Sequence, residues 1–136
     1  MRSIFVDTGY WIAAIHPYDG LHNKAMAIAR QLGSCKLVTS EMVLTEVLNA
    51  FAERGPHLRA AGVAAVQAVI GDARIEVVPQ TRHLFQEALA LYRHRSDKGW
   101  SLTDCASFAI MDKRGIVEAL TYDHHFEQNG YKALLR

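Results

Sequence analysis

Four acidic residues occupy positions from which they can act together on one substrate. Asp7 follows a short apolar run near the start of the chain, and Asp123 follows another near its end. Glu46 and Asp104 lie one or two turns into segments with helical periodicity. Carboxylates held close together repel one another and offer the oxygen ligands that Mg²⁺ and Mn²⁺ prefer. The chemistry they favour is metal-assisted hydrolysis, in which two ions about 4 Å apart activate a water and stabilise the leaving oxygen of a phosphodiester.

Each acid also has a purely structural interpretation. Asp7 and Asp123 can cap the helices that follow them, and Ser101 with Asp104 fits a capping box. Glu46 can be a solvated helix residue, although its neighbours Val43, Leu44, Val47 and Leu48 are apolar. The functional interpretation gains weight only if the fold brings the four carboxylates together.

The chain alternates short apolar strands with longer helical segments, which predicts right-handed crossovers and a parallel α/β sheet. Strands are predicted at residues 3–6, 36–39, 75–79, 119–122 and 131–135. Helices are predicted over 11–15, 21–32, from an N-cap at Ser40 through 50, and over 57–70, 81–94 and 101–113. Ligands of such sheets bind at the carboxyl ends of the strands, and this is the edge where the four acids would converge.

Length and composition limit the remaining possibilities. A chain of 136 residues, half of them hydrophobic, predicts one domain spanning 1–136. The 15 Lys and Arg against 14 Asp and Glu give a net charge of +1, which excludes nucleic-acid binding by bulk electrostatics. Four basic residues either form a local basic rim around the acidic site or lie on a solvated helix face, and the sequence favours neither interpretation: Arg82, Arg93, Arg95 and Lys98. We predict a cytoplasmic protein without a membrane segment, with Cys35 and Cys105 reduced and buried.

Several familiar sites are missing from the sequence. The chain has no dinucleotide fingerprint, no P-loop, no Gly-x-Ser-x-Gly elbow and no His-Glu-x-x-His or paired Cys-x-x-Cys zinc motif. A phosphatase of the haloacid dehalogenase type would need a second Asp where Gly9 stands. The sequence therefore disfavours a phosphatase of this type.

Four short motifs in fixed order give the chain a family resemblance over nearly its whole length. They are Val6-Asp7-Thr8, Glu46 in an apolar helix, the segment 97–105 (DKGWSLTDC), and the segment 120–126 (LTYDHHF) followed by Gly130-Tyr131 and Leu134. In this respect the sequence resembles the PIN-domain ribonucleases, the toxin branch of the bacterial VapBC toxin–antitoxin pairs.

The resemblance implies a three-layer α/β/α sandwich around a mainly parallel sheet of four to five strands. It implies that Asp7, Glu46, Asp104 and Asp123 form an acidic quartet, with Asp7 and Asp104 as metal ligands. Thr8 and Asp97 match secondary positions, although Asp97 also fits a loop or cap residue. Independently of the resemblance, His125 is a further candidate for metal or RNA contact because it lies close to Asp123, with a surface or packing role as the alternative. Gly9 departs from the Ser or Asn that is frequent at its position.

The function implied is that of an Mg²⁺-dependent endoribonuclease, with Mn²⁺ as a substitute, that hydrolyses RNA by a metal-activated water. A small antitoxin protein and a homodimer built on helices of the N-terminal half are the implied partners. One alternative is a catalytically silent PIN-like binding module that holds a structural ion or a regulatory protein. Another is a metal-dependent phosphatase or DNA nuclease. All four acids are intact, which favours activity.

Three further side chains near the acids need an interpretation. His124 and His125 follow Asp123 directly, but adjacent residues are expected to point apart on a helix, so at most one is expected to reach a metal. Trp100 is predicted to pack at a helix entry rather than to stack on a base.

Overall fold

The computed structural model describes residues 1–136 and contains five strands and seven helices. The strands are β1 (Ser3–Val6), β2 (Lys36–Ser40), β3 (Ile75–Val78), β4 (Glu118–Leu120) and β5 (Lys132–Ala133). The helices are α1 (Thr8–Ile15), α2 (His22–Gln31), α3 (Glu41–Phe51), α4 (Pro56–Gly71), α5 (Arg82–His94), α6 (Leu102–Arg114) and α7 (His124–Gln128). None of these helices is long and apolar enough to cross a membrane.

The five strands form one sheet in the order β3-β2-β1-β4-β5, and every neighbouring pair is parallel. The chain winds outward from β1 through β2 to β3 and then returns to the other side of β1 to form β4. This reversal of winding direction opens a crevice at the carboxyl ends of β1 and β4. The predicted parallel α/β sheet is confirmed, and it has five strands.

Side chains of β1 alternate between two hydrophobic cores, one on each face of the sheet. Phe5 packs with α3, α5 and α6 on one face. Ile4 and Val6 pack with α1, α2 and Leu135 on the other face. The helices on both faces make the three-layer α/β/α arrangement that the resemblance implies.

Differences from the sequence prediction concentrate at element ends. Strand β4 stops at Leu120, so Asp123 follows it by three residues and caps α7, a short helix that the strand-and-helix pattern does not reveal. Helix α1 begins at Thr8, directly after Asp7, rather than near Trp11. The last strand is only Lys132–Ala133. The predicted N-cap at Ser40 is confirmed, because its Oγ accepts a hydrogen bond from the Val43 amide.

The two cysteines are both free, as predicted, but they differ in burial. Cys105 is fully buried on α6, whereas Cys35 is only half-buried, so the prediction that both are buried is wrong for Cys35. Cys35 lies just before β2 and packs, partly buried, against the core that contains Ile4 and Val6. Burial raises the pKa of the Cys105 thiol to about 11.

We therefore expect the two thiols to react at very different rates. A thiol reagent such as DTNB should modify one thiol in the native protein and the second only after denaturant is added, because thiolate character and access control the reaction. A Cys35→Ala variant should show no fast phase. A fast native reaction in that variant would contradict the burial of Cys105.

Candidate active site

All four predicted acids line one cleft of about 590 Å³ at the crevice between β1 and β4. Asp7 follows β1, Glu46 projects from α3, Asp104 from α6, and Asp123 stands before α7. A larger cavity of about 720 Å³ lies at the amino ends of the strands, but none of the four acids lines it. The fold thus brings the four acids to one cleft, as the functional interpretation requires.

A hydrogen bond from a residue just after β4 fixes the side chain of Asp7. Its residue is 7% exposed, and its Oδ2 accepts a hydrogen bond of 2.9 Å from the Thr121 hydroxyl. Thr121 Oγ1 in turn accepts a hydrogen bond from the Asp123 amide at 3.1 Å, which ties the end of β4 to the end of β1. The Asp7 side chain makes no capping hydrogen bond to α1, so the structural interpretation of this residue as a helix cap is wrong.

The environment of Asp7 favours the neutral carboxyl in the metal-free protein. Burial raises the pKa of Asp7 to about 7, and the nearby carboxylates of Asp104 and Glu46 raise it further. The hydrogen bond from Thr121 opposes this rise in pKa and does not cancel it. A positive charge nearby would lower this pKa and favour the ionised carboxylate.

Asp104 combines a structural role with a position in the cleft. Its amide donates to Ser101 Oγ at 3.0 Å, and its Oδ2 accepts from the Ser101 amide at 3.1 Å, which completes the predicted capping box. Burial raises the pKa of Asp104, and the charge of Asp123 adds to that rise. The capping box therefore fixes the Asp104 carboxylate at the first turn of α6, and burial in the cleft shields it from solvent.

Asp123 caps α7, because its Oδ1 accepts a hydrogen bond of 2.9 Å from the His125 amide. The imidazole of His125 lies between two of the acids: its Nδ1 is 3.0 Å from Asp104 Oδ2 and 3.3 Å from Asp123 Oδ1. Here the capping interpretation of Asp123 is correct, and the same carboxylate still faces the cleft.

The expectation that His124 and His125 point apart is wrong. His124 Nδ1 lies 3.6 Å from the same Asp123 Oδ1 that His125 approaches, and the two ring centroids are 4.5 Å apart. Both residues belong to the first turn of a short helix, where the side chains fold back toward the capping residue.

The cleft has an excess of negative charge and a buried hydroxyl group without a hydrogen-bond partner. Arg136 is the one Lys or Arg among its lining residues, and Arg136 Nε already pairs with Glu127 Oε1 at 2.7 Å. Thr8 also lines the cleft, is 7% exposed, and its hydroxyl has no hydrogen-bond partner in the protein. Glu46, half-buried, adds a further negative charge. A cation and a small polar ligand would correct these two imbalances.

Two of the predicted neighbours lie elsewhere. Asp97 does not line the cleft; it is exposed and forms an ion pair with Arg95, with Nε to Oδ1 at 3.0 Å. The guanidinium of Arg95 also stacks over Trp100, 5.1 Å from the ring centroid. Trp100 is 4% exposed and packs edge-on against Phe108, so the prediction of a packing role is confirmed.

The structure adds lining residues that were not identified from the sequence, among them Thr121, Tyr122 and Arg136. Thr121 is the hydrogen-bond donor to Asp7. A Cβ at Gly9 would lie 3.4 Å from Tyr122 Cε1, an ordinary van der Waals contact, so the ring does not require a glycine there. Only Thr121 had a usable signal, because a polar residue at the end of an apolar strand reaches the same edge as the acids.

Comparisons with known proteins agree with this geometry. A family model described as PIN domain matches residues 4–130. The 23S rRNA-specific endonuclease VapC20 of Mycobacterium tuberculosis is 33% identical over 131 residues, covering 94% of this chain and 95% of that protein. With its three-layer fold and acidic cleft, the chain belongs to the PIN-domain family, as the motifs predict.

Two solved structures resemble this fold. The crystal structure of Mycobacterium tuberculosis VapC20, a sarcin–ricin loop cleaving toxin, matches with a TM-score of 0.84 and 28% identity, covering 94% of this chain and 95% of that one. VapBC2 from Rickettsia felis, bound to a DNA fragment from its promoter, matches with a TM-score of 0.63 and 11% identity over 97% of each chain. The second match shows a shared fold alone.

Proposed function

We propose that this protein is an endoribonuclease of the VapC toxin type that uses Mg²⁺, or Mn²⁺ in its place, held by the four acids of the cleft. The observation that carries the proposal is the convergence of Asp7, Glu46, Asp104 and Asp123 on one cleft that has almost no compensating positive charge. A site of this charge and ligand type suits a hard divalent cation.

The residues present fit such an ion. Asp7 and Asp104 supply buried carboxylate oxygens, and the pKa of each is raised by burial, so a bound cation would hold both ionised. The unpartnered hydroxyl of Thr8 supplies a further polar contact for a water or a phosphate oxygen. When bound, the ion supplies a Lewis acid that lowers the pKa of a water and stabilises charge on a leaving oxygen.

The chain's own residues orient this chemistry. Thr121 fixes the Asp7 carboxylate by donating to Oδ2, and the Ser101 amide fixes Asp104. Glu46 and Asp123 line the same cleft and complete the ligand set or orient the attacking water. The leaving group is the 3′-oxygen of the cleaved phosphodiester, and the products therefore carry 5′-phosphate and 3′-hydroxyl ends.

The substrate that the relatives suggest is 23S rRNA, and within it the sarcin–ricin loop. The match covers 95% of VapC20, which supports this substrate as a proposal for the present chain. Electrostatic attraction to RNA would be local, since the net charge of the whole chain is only +1.

The test is cleavage of a synthetic sarcin–ricin loop RNA by the purified protein, with Mg²⁺ and with EDTA. A DNA of the same sequence and a phosphomonoester serve as the alternative substrates. We expect cleavage of the RNA with Mg²⁺ only. No cleavage of any substrate would favour a silent binding module, whereas cleavage of the DNA or the phosphomonoester alone would favour the other two alternatives.

Thr8 gives a second test that does not remove a charge. Thr8→Val deletes the buried hydroxyl while preserving the shape of the side chain, so the fold should be as stable as the wild type or slightly more stable. Cleavage should fall about 10- to 100-fold if the hydroxyl contacts a charged group of the substrate or a bound water, since such bonds contribute roughly 1.5–3 kcal/mol. Thr45→Val, on an exposed threonine of α3, is the matched control. Equal rates for both variants would contradict a role for Thr8.

The proposed toxin role implies an antitoxin protein that neutralises the negative charge of the cleft or covers its opening. The resemblance to VapBC2 from Rickettsia felis supports this expectation only through the shared fold. A homodimer built on N-terminal helices, a single domain over 1–136 and a cytoplasmic location are part of the same proposal. Co-expression with the product of a neighbouring small gene, followed by size-exclusion chromatography with light scattering, tests the two assemblies.

A further inference from the structure

A second group of metal-ligand atoms adjoins the carboxylate site. Asp123, His124 and His125 each offer one ligand atom, and these atoms all lie within 4.8 Å of one another. Two imidazole nitrogens distinguish this group from the oxygen ligands of Asp7 and Glu46. Imidazole suits Zn²⁺ and its transition-metal neighbours, whereas Mg²⁺ prefers oxygen ligands alone.

The two distances from Asp123 within the group match the edges of a tetrahedron around zinc. Zn–N and Zn–O bonds of about 2.0–2.2 Å place tetrahedral ligands about 3.3–3.6 Å apart. The observed separations from Asp123 Oδ1 are 3.3 Å to His125 Nδ1 and 3.6 Å to His124 Nδ1. Asp104 Oδ2 lies 3.0 Å from His125 Nδ1 but outside the group whose ligand atoms all lie within 4.8 Å of one another. Three ligand atoms are therefore already close together, and a movement of the Asp104 side chain would add a fourth.

We propose that Asp123, His124 and His125 form a site for a borderline transition-metal ion such as Zn²⁺, with Asp104 as the fourth ligand. The side chain of His124 is 60% exposed, which gives the ion an entry path, while the side chain of Asp104 is 10% exposed and closes the inner side. Because Asp104 and Asp123 belong to both sites, Zn²⁺ bound here competes with Mg²⁺ and inhibits cleavage. This inhibitory consequence rests on the proposed function, whereas zinc binding does not.

Calorimetric titration of Zn²⁺ into the metal-free protein tests the site directly. We expect one strong Zn²⁺ site in the wild type and a dissociation constant raised about 10-fold or more in His124→Ala, which loses one ligand. His83→Ala is the matched control, since His83 pairs with Glu87 at 3.2 Å on α5 without a second imidazole. Asp7→Asn should keep strong zinc binding, because Asp7 is not a ligand of this site.

The outcomes separate the two metal sites. Loss of zinc binding in Asp7→Asn but not in His124→Ala would place the ion among the four carboxylates and overturn the proposal. Equal zinc affinities of His124→Ala and His83→Ala would also overturn it. Co²⁺ provides a second readout, because tetrahedral nitrogen–oxygen coordination gives an intense visible absorption that octahedral coordination lacks. That band should be present in the wild type and absent in His124→Ala.

Cleavage assays then test the consequence. Zn²⁺ should inhibit the Mg²⁺-dependent reaction of the wild type, and His124→Ala should resist that inhibition. Failure of the wild type to cleave under any condition would contradict the proposed function and leave the calorimetric result intact. Absence of Zn²⁺ binding in an active wild-type protein would refute the zinc site alone.

Discussion

Replacing Asp7 or Asp104 by Asn should abolish Mg²⁺-dependent cleavage of RNA while leaving the fold intact. Each substitution keeps the size and a hydrogen-bond acceptor of the side chain but removes the negative charge that attracts the ion. The loss should exceed about 100-fold, because even changes to residues that only support metal ligands reduce function 10- to 100-fold. The fold should survive, since an amide oxygen can still accept the hydrogen bond that Thr121 donates to Asp7.

Initial cleavage rates at saturating Mg²⁺, with circular dichroism as the check on folding, measure this effect. Asp72→Asn is the matched control, because Asp72 pairs with Arg74 near the amino ends of the strands, far from the acidic cleft. It should cleave at the wild-type rate. A folded Asp7→Asn or Asp104→Asn variant with wild-type activity would remove that residue from the metal site.

The metal-free protein should become less stable as the pH rises from about 4.5 to about 7. The pKa of Asp7 is raised from 3.8 to about 7 in the folded state, so the folded protein binds this proton more tightly than the unfolded chain does. Ionising the buried carboxyl therefore favours unfolding, and the effect is complete only above the folded-state pKa. A tenfold difference in proton affinity corresponds to about 1.4 kcal/mol, so roughly 2–4 kcal/mol of folding stability should be lost across this interval.

Groups with lowered pKa values act in the opposite direction but at lower pH. Ion pairs with Arg114 and Lys36 hold the pKa of Glu76 at about 2, so its stabilising contribution is gained below the interval in which Asp7 titrates. Urea unfolding in EDTA at pH 5 and pH 8 measures the difference. Asp7→Asn should be more stable than the wild type at pH 8 and similar to it at pH 5.

Mg²⁺ should reverse the trend, since an ion bound to ionised Asp7 stabilises the folded state through linkage. The added stability should be larger at pH 8 than at pH 5, and much smaller in Asp7→Asn. If metal-free wild type and Asp7→Asn have the same stability at both pH values, the raised pKa assigned to the buried Asp7 carboxyl is wrong.

The topology of the sheet follows from the sequence because its signals are local. Apolar runs such as Ile4–Val6 and the helical segments between them predict strands and crossovers, and parallel pairing then brings the residues after β1 and β4 to one edge. The capping box at Ser101 is equally local and is predicted correctly. These features depend on neighbours within a few residues.

The contacts inside the cleft depend on distant residues and are harder to predict. The hydrogen bond between Thr121 and Asp7 joins side chains 114 positions apart, and the approach of His125 to Asp104 depends on how α7 packs against α6. Helix α7 escapes prediction because five residues are too short to show a periodicity. Asp97 matches a family position but lies outside the cleft, exposed and paired with the adjacent Arg95, as its alternative interpretation as a loop residue predicts.

The chemistry of the cleaved ends tests the proposed metal-dependent hydrolysis most directly. A sarcin–ricin loop RNA is incubated with the purified protein and Mg²⁺, and the product termini are identified by mass spectrometry. Hydrolysis by a water with departure of the 3′-oxygen predicts 5′-phosphate and 3′-hydroxyl ends, formed only with a divalent ion and not by Asp104→Asn. Products with 2′,3′-cyclic phosphate and 5′-hydroxyl ends, or cleavage that continues unchanged in EDTA, would contradict a reaction carried by the four acids.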